Sequence, residues 1–423
     1  MNDYGWIILI TLLLGFVLET VATLLNLRHS PKTPPEPFQD CFDQDRFQRT
    51  RNYLAAKAKA GMVRGGWDLA LLLIWWGMGG FNALDQWLRP MIHDDLLRGV
   101  VYVGTLVLLS RLLDLPFAIH DTFVVENRFG FNRTTPVTFV MDRIKSLLLS
   151  SILGGGILWG ILWFFHKAGP LAWLHCWLSV TLFTLTVHYV APRWIIPLFF
   201  KFKSLPDGPL RQALLAYAEK VQFPVQDVFE VDGSRRSTKA NAFFTGFGKN
   251  RRIALFDTLI QTHSQDEVIA VLAHEVGHFK HRHILKGVGL SIIHMGLLFY
   301  LMSLFMNKPE LSQAFFMTHM SLYTGLVFFT LLLTPLDLIV GPVFKWYSRN
   351  NEFQADHFAV QTAPNPLALQ NALKKLAVNS LSNLTPHPLH VMLHDSHPPL
   401  IQRLDRMMQV SSTQRFPLPQ GNP

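Results

Sequence analysis

The sequence predicts a mainly α-helical integral membrane protein with seven transmembrane helices and a small cytoplasmic α/β domain. Hydrophobic residues make up 49% of the 423 residues and charged residues only 16%, whereas about a quarter of a typical soluble domain is charged. Seven segments have the roughly 20 mostly apolar residues that a membrane-spanning helix needs. Lysine and arginine are concentrated in alternate loops between these segments, which is typical of a multi-pass membrane protein.

The seven predicted spans cover residues 4–25, 67–88, 97–119, 147–166, 171–189, 287–306 and 321–346. Basic residues are frequent in the loops after the first and third spans and sparse in the loops after the second, fourth and sixth. Basic loops favour the cytoplasmic side, so we expect residues 192–286 and the tail after residue 346 to face the cytoplasm. The net charge of +9 follows from these loops, and we expect a lipid bilayer rather than nucleic acid as the partner.

Ionisable residues within the predicted spans indicate either polar contacts between helices or a water-filled cavity. Charge inside a bilayer is costly and normally faces protein or water. Arg111 and Asp114 are about one helical turn apart, a spacing that would allow them to pair. The number of such residues favours a cavity; they are Glu19, Asp68, Asp85, Arg111, Asp114, His188, His294 and Asp337.

The chain divides into five predicted regions. They are the first five spans with their loops (1–191), an α/β segment (192–286), spans six and seven (287–347), a second cytoplasmic segment (348–410) and a disordered tail (411–423). The α/β segment begins with an amphipathic helix at 210–221. Three short strands follow in DVFEVDG, NAFFTGFG and RRIALFD. A last helix, QDEVIAVLAHEVGHFKHRH, has acidic residues at its start and basic residues at its end, which suits the helix dipole.

The last helix of this segment contains an H-E-x-x-H motif formed by His274, Glu275 and His278. Residues four apart share one face of a helix, so the two imidazoles are positioned to bind one Zn²⁺ ion. Glu275 is rotated by about 100° from His274. That rotation is unfavourable for a ligand but favourable for taking a proton from a water molecule at the metal.

The residues around the motif carry weaker signals. Gly277 leaves room between the histidines for a substrate or for a neighbouring backbone. We interpret His281 and His283 as juxtamembrane histidines without a role at the metal.

A catalytic zinc usually has three protein ligands, and the sequence offers two candidates for the third. Asp337 lies within the last predicted span, whereas Glu352, in SRNNEFQAD, follows that span directly. Spans six and seven form a hairpin, so the chain after span seven returns to the level of the histidine helix. We therefore favour Glu352. Asp356 shares a helical face with Glu352 and is a candidate to support a ligand histidine.

These motifs together resemble the type I CAAX prenyl protease family of integral-membrane zinc metalloendopeptidases. The resemblance rests on HEVGH (274–278), SRNNEFQAD (348–356), FVVENRFGFN (123–132), VDGSRRSTKANAFFTGFG (231–248), RRIALFDTL (251–259) and SHPPLIQR (396–403). It covers essentially the whole chain. It implies seven transmembrane helices around a hydrophilic chamber, with a small cytoplasmic α/β zinc-metalloprotease domain.

The resemblance also implies the composition of the active site. One Zn²⁺ ion would be bound by His274, His278 and Glu352, and Glu275 would activate the attacking water. By the same similarity, the remaining site residues are Asp356 in a proton-handling role, Asn241 on the strand that aligns a substrate, and His397 and Arg403 near the cleft, where they help to polarise the scissile carbonyl.

The expected activity is therefore hydrolysis of a peptide bond, and by resemblance removal of the C-terminal tripeptide from prenylated CAAX proteins or peptides. Two alternatives stay open. One is a quality-control endopeptidase that cleaves damaged membrane proteins with the same chemistry. The other is a non-enzymatic membrane transporter or scaffold whose histidines are structural or carry a metal. The last residues, PLPQGNP, contain no endoplasmic-reticulum retention signal, so we expect a bacterial inner membrane rather than the endoplasmic reticulum.

Overall fold

The computed structural model describes residues 1–245 and 251–415, and this part of the chain is mainly helical. The first half contains six helices: α1 (Asp3–His29), α2 (Gln44–Gly77), α3 (Gly80–Leu88), α4 (Asp95–Ile119), α5 (Pro136–Lys167) and α6 (Ala172–Val190). The second half contains ten: α7 (Pro209–Lys220), α8 (Asp257–Thr262), α9 (Gln265–Lys280), α10 (His283–Phe305), α11 (Pro309–Ala314), α12 (Leu322–Leu332), α13 (Thr334–Thr362), α14 (Ala368–Ser380), α15 (Pro388–His394) and α16 (Leu400–Arg415). The described residues also form four strands: β1 (Phe202–Ser204), β2 (Asp227–Val231), β3 (Ala242–Thr245) and β4 (Arg252–Phe256).

The membrane class predicted from the sequence is confirmed, but the spans are not all continuous helices. Within the described ranges, five helical segments are long and apolar enough to cross a membrane, and six if α12 and α13, bent by 54° at a short break, count as one. The remaining predicted span, 67–88, is divided between α2 and α3. Gly79, with a left-handed φ of 71°, separates the two helices, because glycine adopts this conformation without a steric cost.

Asp114 pairs with a residue of another helix. Arg64 of α2 approaches Asp114 of α4 at 2.7 Å between Nη2 and Oδ1, so Asp114 pairs with Arg64 instead of with Arg111, the partner that the helical spacing allowed. Arg64 is reached because α2 extends beyond the predicted second span and lies beside α4. The contact links two helices, which fits the first interpretation of the intramembrane charges at this position. The hydrophilic chamber stays a prediction.

A four-stranded sheet in the order β1-β2-β4-β3 forms the β part of the second half. The β2–β4 pair is parallel, and β1–β2 and β3–β4 are antiparallel. The three predicted strands are present, although residues 246–248 of NAFFTGFG lie outside the described residues. Among the residues that the structure places, β3 pairs only with β4, so its other edge is available for hydrogen bonding.

Helix α9 lies in the core that joins the sheet to the helices of the C-terminal half. Its buried face includes Leu272 and Val276, which pack in one cluster with Val228 of β2, Ile253 of β4 and Leu404 of α16. A capping box closes the start of α9: the Ser264 side chain accepts from the Glu267 backbone, and the Glu267 side chain accepts from the Ser264 backbone. Such caps satisfy backbone donors that a helix start leaves unpaired.

Helices α9 and α13 approach each other closely at Gly277. A Cβ atom at this position would lie 2.9 Å from the Cα atom and 3.0 Å from the carbonyl oxygen of Ala355. The sequence predicts that the space at Gly277 accommodates either a substrate or a neighbouring backbone. The structure shows that the backbone of Ala355 occupies it. The absence of a side chain here sets the separation of the two helices.

The tail predicted to be disordered, 411–423, is helical in its first residues. Helix α16 continues to Arg415, so residues 411–415 are helical in backbone. Residues 416–423 lie outside the described residues.

We expect Gly277→Ala to destabilise the protein, because the added methyl group has no free space. Overpacking typically costs about 1–3 kcal/mol, which exceeds the gain of up to about 1 kcal/mol when alanine replaces a helical glycine. The melting temperature of the purified protein in detergent measures the loss. Gly289→Ala in α10 is the matched control, since nothing lies within 4 Å of a Cβ atom there. An equal decrease in both variants would contradict the packing argument.

Candidate metal centre

Three metal-binding side chains converge where α9 meets α13. The Nε2 atoms of His274 and His278 are 3.2 Å apart. The two carboxylate oxygens of Glu352 lie 3.5 Å from Nε2 of His274 and 3.3 Å from Nε2 of His278. One ligand atom from each of the three residues lies within 4.8 Å of the others. The structure thus brings together the two histidines of the motif and the favoured third candidate.

The donor set fits a bound metal ion. Two imidazole nitrogens and one carboxylate are the ligands typical of a catalytic zinc site. Glu352 is buried, and its Oε2 atom accepts no hydrogen bond from the described residues. A buried carboxylate oxygen without a donor is energetically costly, and a cation between Glu352 and the histidines removes that cost.

Asp337 is placed too far along α13 to take part. It precedes Glu352 by fifteen residues in the same helix, which corresponds to about 22 Å at the rise of an α-helix. The hairpin argument from the sequence thus selected the carboxylate that the structure places beside the histidines.

Asp356 supports the cluster from the opposite side of His274. Its Oδ1 atom lies 2.9 Å from Nδ1 of His274, so Nε2 of this ring is directed towards His278 and Glu352. Arg403 of α16 binds Asp356 in a bidentate manner, with Nε–Oδ2 at 2.8 Å and Nη2–Oδ1 at 2.7 Å. Nη1 of Arg403 also lies 3.4 Å from Oε2 of Glu352. Carboxylates behind metal-ligand histidines commonly fix the orientation of the ring.

The charges of these neighbours change the pKa values of the two motif residues. Burial opposes protonation of His274, but the adjacent carboxylates of Asp356 and Glu352 outweigh it and raise the pKa of His274 to about 9. Metal binding therefore has to displace a proton from this ring. Burial raises the pKa of Glu275, although the charges of His274 and His278 lower it in part. A raised pKa suits a carboxylate that accepts and returns a proton near neutral pH.

His397 lies at the edge of the cluster and is accessible. Its Nε2 atom is 3.5 Å from Oε1 of Glu352, and 64% of its side chain is exposed. Arg349 of α13 fixes the end of α15, which precedes His397, by donating hydrogen bonds to the carbonyl oxygens of Val391 and Asp395, at 3.0 and 2.8 Å. His397 is therefore held near the cluster with a free face.

Asn241 precedes the edge strand β3 and is exposed. Its backbone oxygen accepts a hydrogen bond from Phe256 at 3.0 Å, and its side chain accepts one from Ala242 at 2.9 Å. The described contacts of Asn241 include none with the histidines or Glu352. It marks the start of the strand rather than a part of the metal cluster.

The segment before β3 contacts the π-helical segment His120–Glu126 that continues α4, and the residues just after it. Lys239 approaches Glu126 at 3.2 Å, and Glu126 also accepts a hydrogen bond from Tyr53 of α2 at 2.7 Å. The backbone nitrogen of Thr238 donates to the oxygen of Phe131 at 3.2 Å. Two stretches that carried the family resemblance, 123–132 and 231–248, are therefore in contact.

Sequence reasoning missed His283, which was given no role at the metal. Its Nδ1 atom lies 3.0 Å from Nδ1 of His278. A residue five positions after His278 does not share its face in a continuous helix. The helix is interrupted, however, because Arg282 has a left-handed φ of 57° and α10 starts anew at His283. The strained residue was not detectable from the sequence.

These features define a class of protein. A multi-pass membrane fold carries an H-E-x-x-H helix with a third carboxylate from a second helix, which is the arrangement of a metallopeptidase centre.

Comparison with known proteins gives the family. The model of the CAAX prenyl protease N-terminal domain, described as five membrane helices, matches residues 23–201, and the model of peptidase family M48 matches residues 204–410. The chain belongs to peptidase family M48, and it is a membrane metallopeptidase. It is 35% identical to CAAX prenyl protease 1 homolog of Arabidopsis thaliana, over 92% of this chain and 94% of the relative.

Further relatives agree. The chain is 34% identical to CAAX prenyl protease 1 of Saccharomyces cerevisiae, with 91% of this chain and 90% of the relative covered. The crystal structure of S. mikatae Ste24p superimposes with a TM-score of 0.89 at 32% identity, and covers 96% of this chain and 99% of that chain. The mainly helical fold and the small sheet are thus shared with a solved structure.

We expect Glu352→Gln to lose the metal, because the substitution removes the anionic ligand while preserving its size. Metal analysis of the purified protein by mass spectrometry measures the content. Asp337→Asn is the matched control on the same helix and is expected to retain the metal. A metal that stays in the Glu352 variant and disappears from the Asp337 variant would reverse our assignment of the third ligand.

Proposed function

We propose that the protein is a zinc-dependent endopeptidase that removes the C-terminal tripeptide of prenylated CAAX proteins or peptides. The observation that carries the proposal is the convergence of His274, His278 and Glu352, with Glu275 in the same motif. The proposed substrate is supported by the names of the relatives, which are CAAX prenyl proteases over more than nine-tenths of this chain.

In the proposed mechanism, Glu275 moves the protons. When bound, zinc supplies Lewis-acid polarisation of the scissile carbonyl. Glu275 accepts a proton from the attacking water and passes it to the leaving amine, and burial, which raises the pKa of Glu275, strengthens it as a base for the first transfer. Asp356 keeps His274 in the orientation in which Nε2 faces the metal. Its contact with Nδ1 of His274, at 2.9 Å, supports this role.

His397 and Arg403 contribute in different ways. The exposed imidazole of His397 beside Glu352 is proposed to donate a hydrogen bond to the oxygen of the polarised carbonyl. Arg403 is buried, and three of its nitrogens face Asp356 and Glu352. Those contacts favour a positioning role for Arg403 over direct binding of the substrate.

The edge strand β3 is proposed to align the substrate. An extended peptide can add to a free sheet edge by main-chain hydrogen bonds, which read backbone rather than side chains. Asn241 lies directly before this strand. The contact of Lys239 with Glu126 fixes the segment that leads into the strand. This arrangement predicts weak selectivity for side chains, so a lipid tail on the substrate would supply the remaining selectivity.

The proposed site faces the cytoplasm, as the basic loops after the first and third spans indicate. The lipid bilayer and a prenylated peptide are the proposed partners. The preference for a bacterial inner membrane stays a prediction from the sequence, and the relatives named above are from a plant and a yeast.

We expect Glu275→Gln to retain the metal and to lower peptide hydrolysis by about 10²–10⁴-fold, because an amide cannot accept the proton. Turnover of a fluorogenic peptide and metal content are measured on the same preparation. Asp266→Asn is the matched control, since Asp266 is exposed on the same helix. Full activity of the Glu275 variant would disprove the assigned base.

The proposed substrate is tested with three substrates, each with and without a chelator. They are a farnesylated CAAX peptide, the same peptide without the lipid, and a misfolded membrane protein. We expect chelator-sensitive release of the tripeptide, faster from the farnesylated peptide. Cleavage of the misfolded protein alone would instead favour the quality-control endopeptidase, and no cleavage by a metal-loaded protein would favour the non-enzymatic alternative.

A further inference from the structure

We propose that His283 is a positioning residue that fixes the ring of His278 through a hydrogen-bonded chain ending on Gln354. The inference rests on the metal site of the proposed function but is independent of the substrate. It gives a role to a histidine that the sequence alone assigned to the membrane surface.

The two nitrogens of His278 face different neighbours. Nε2 lies 3.2 Å from His274 and 3.3 Å from Glu352, and therefore faces the metal cluster. Nδ1 lies 3.0 Å from Nδ1 of His283. Nε2 of His283 in turn lies 3.1 Å from Oε1 of Gln354. His283 is 5% exposed, so water has little access to compete for its ring.

Only one arrangement of protons satisfies the three contacts together. A histidine that presents the Nε2 lone pair to a metal carries its proton on Nδ1. That proton is donated to Nδ1 of His283, which must then be unprotonated. His283 consequently carries its proton on Nε2, from which it donates to the oxygen of Gln354. The amide oxygen therefore selects the tautomer of His283, and His283 selects that of His278.

The two ligand histidines are held by chemically different partners. Asp356 contacts Nδ1 of His274 at 2.9 Å and brings a negative charge, whereas His283 is a neutral acceptor for His278. A second carboxylate behind His278 would add negative charge to a centre that already contains Glu352, Glu275 and Asp356. A neutral imidazole orients the ring without adding charge.

The backbone places His283 in position. Arg282 adopts a left-handed conformation, which ends α9 and turns the first residue of α10 back towards His278. His281 stacks on His283 with an angle of 14° between the rings. The orientation of a metal ligand is thereby tied to the start of a membrane helix.

The test compares two variants of His283 in the full-length protein in detergent. His283→Phe retains a ring but cannot accept a hydrogen bond, whereas His283→Asn places Oδ1 where Nδ1 was and can still accept. Zinc affinity is measured by competition with a chromogenic chelator. We expect His283→Phe to bind zinc about 10–100-fold more weakly, as is typical when the partner of a ligand histidine is removed, and His283→Asn to recover most of that loss.

Two further variants and one physical measurement separate positioning from packing. Gln354→Met removes the final acceptor and is expected to weaken zinc binding less than His283→Phe does. His357→Phe, exposed on α13, is the control and should leave the affinity unchanged. The melting temperature of the metal-free protein is expected to stay similar in all variants, because the proposed chain acts on the metal ligand.

The proposal is overturned if His283→Phe binds zinc as tightly as the unaltered protein, or if His283→Asn is as weak as His283→Phe. A large fall in the melting temperature of metal-free His283→Phe, matched by His283→Asn, would also overturn it in favour of packing. If the unaltered protein does not bind zinc, the assignment of the metal site itself is contradicted. Zinc binding without cleavage of the prenylated peptide would contradict only the proposed substrate.

Discussion

The contact between α9 and α13 is the constraint on which the metal centre depends. Helix α9 supplies the two histidines and Glu275, and α13 supplies Glu352 and Asp356. The helices approach closely because Gly277 has no side chain where it meets the backbone of Ala355. Bonds between zinc and its nitrogen or oxygen ligands are about 2.0–2.2 Å long, so a shift of one helix by a fraction of its diameter would separate Glu352 from the histidines.

Burying several charges in one place requires that they compensate one another. Arg403 is 7% exposed and lies against Asp356, which is 2% exposed, and Glu352, which is 4% exposed. Removing one partner of a buried ion pair commonly costs about 3–5 kcal/mol, because the other charge stays buried without compensation. Arg403 belongs to α16, the last described helix, so the site closes only when the C-terminal segment packs against α13.

Two of the apolar helices, α10 and α13, contain residues at or beside the metal site. Helix α13 extends from the bent part of the last span to Asp356 without interruption, and α10 begins beside His278. The contact of Lys239 with Glu126 joins the segment before β3 to the π-helical segment that continues α4. The two parts of the chain matched by separate family models are therefore connected through the elements that surround the centre.

The sequence by itself determined the membrane class, the histidine helix and the position of a carboxylate beside it. These depend on hydropathy, on helical spacing and on the return of a hairpin, all of which act over short stretches or follow from chain topology. The three predicted strands were found for the same reason. Only the tertiary structure decided that Asp114 pairs with Arg64, that the space at Gly277 is filled by Ala355, and that His283 reaches His278. These contacts depend on how whole helices pack and on one left-handed residue at Arg282, and neither leaves a periodic signal in the sequence.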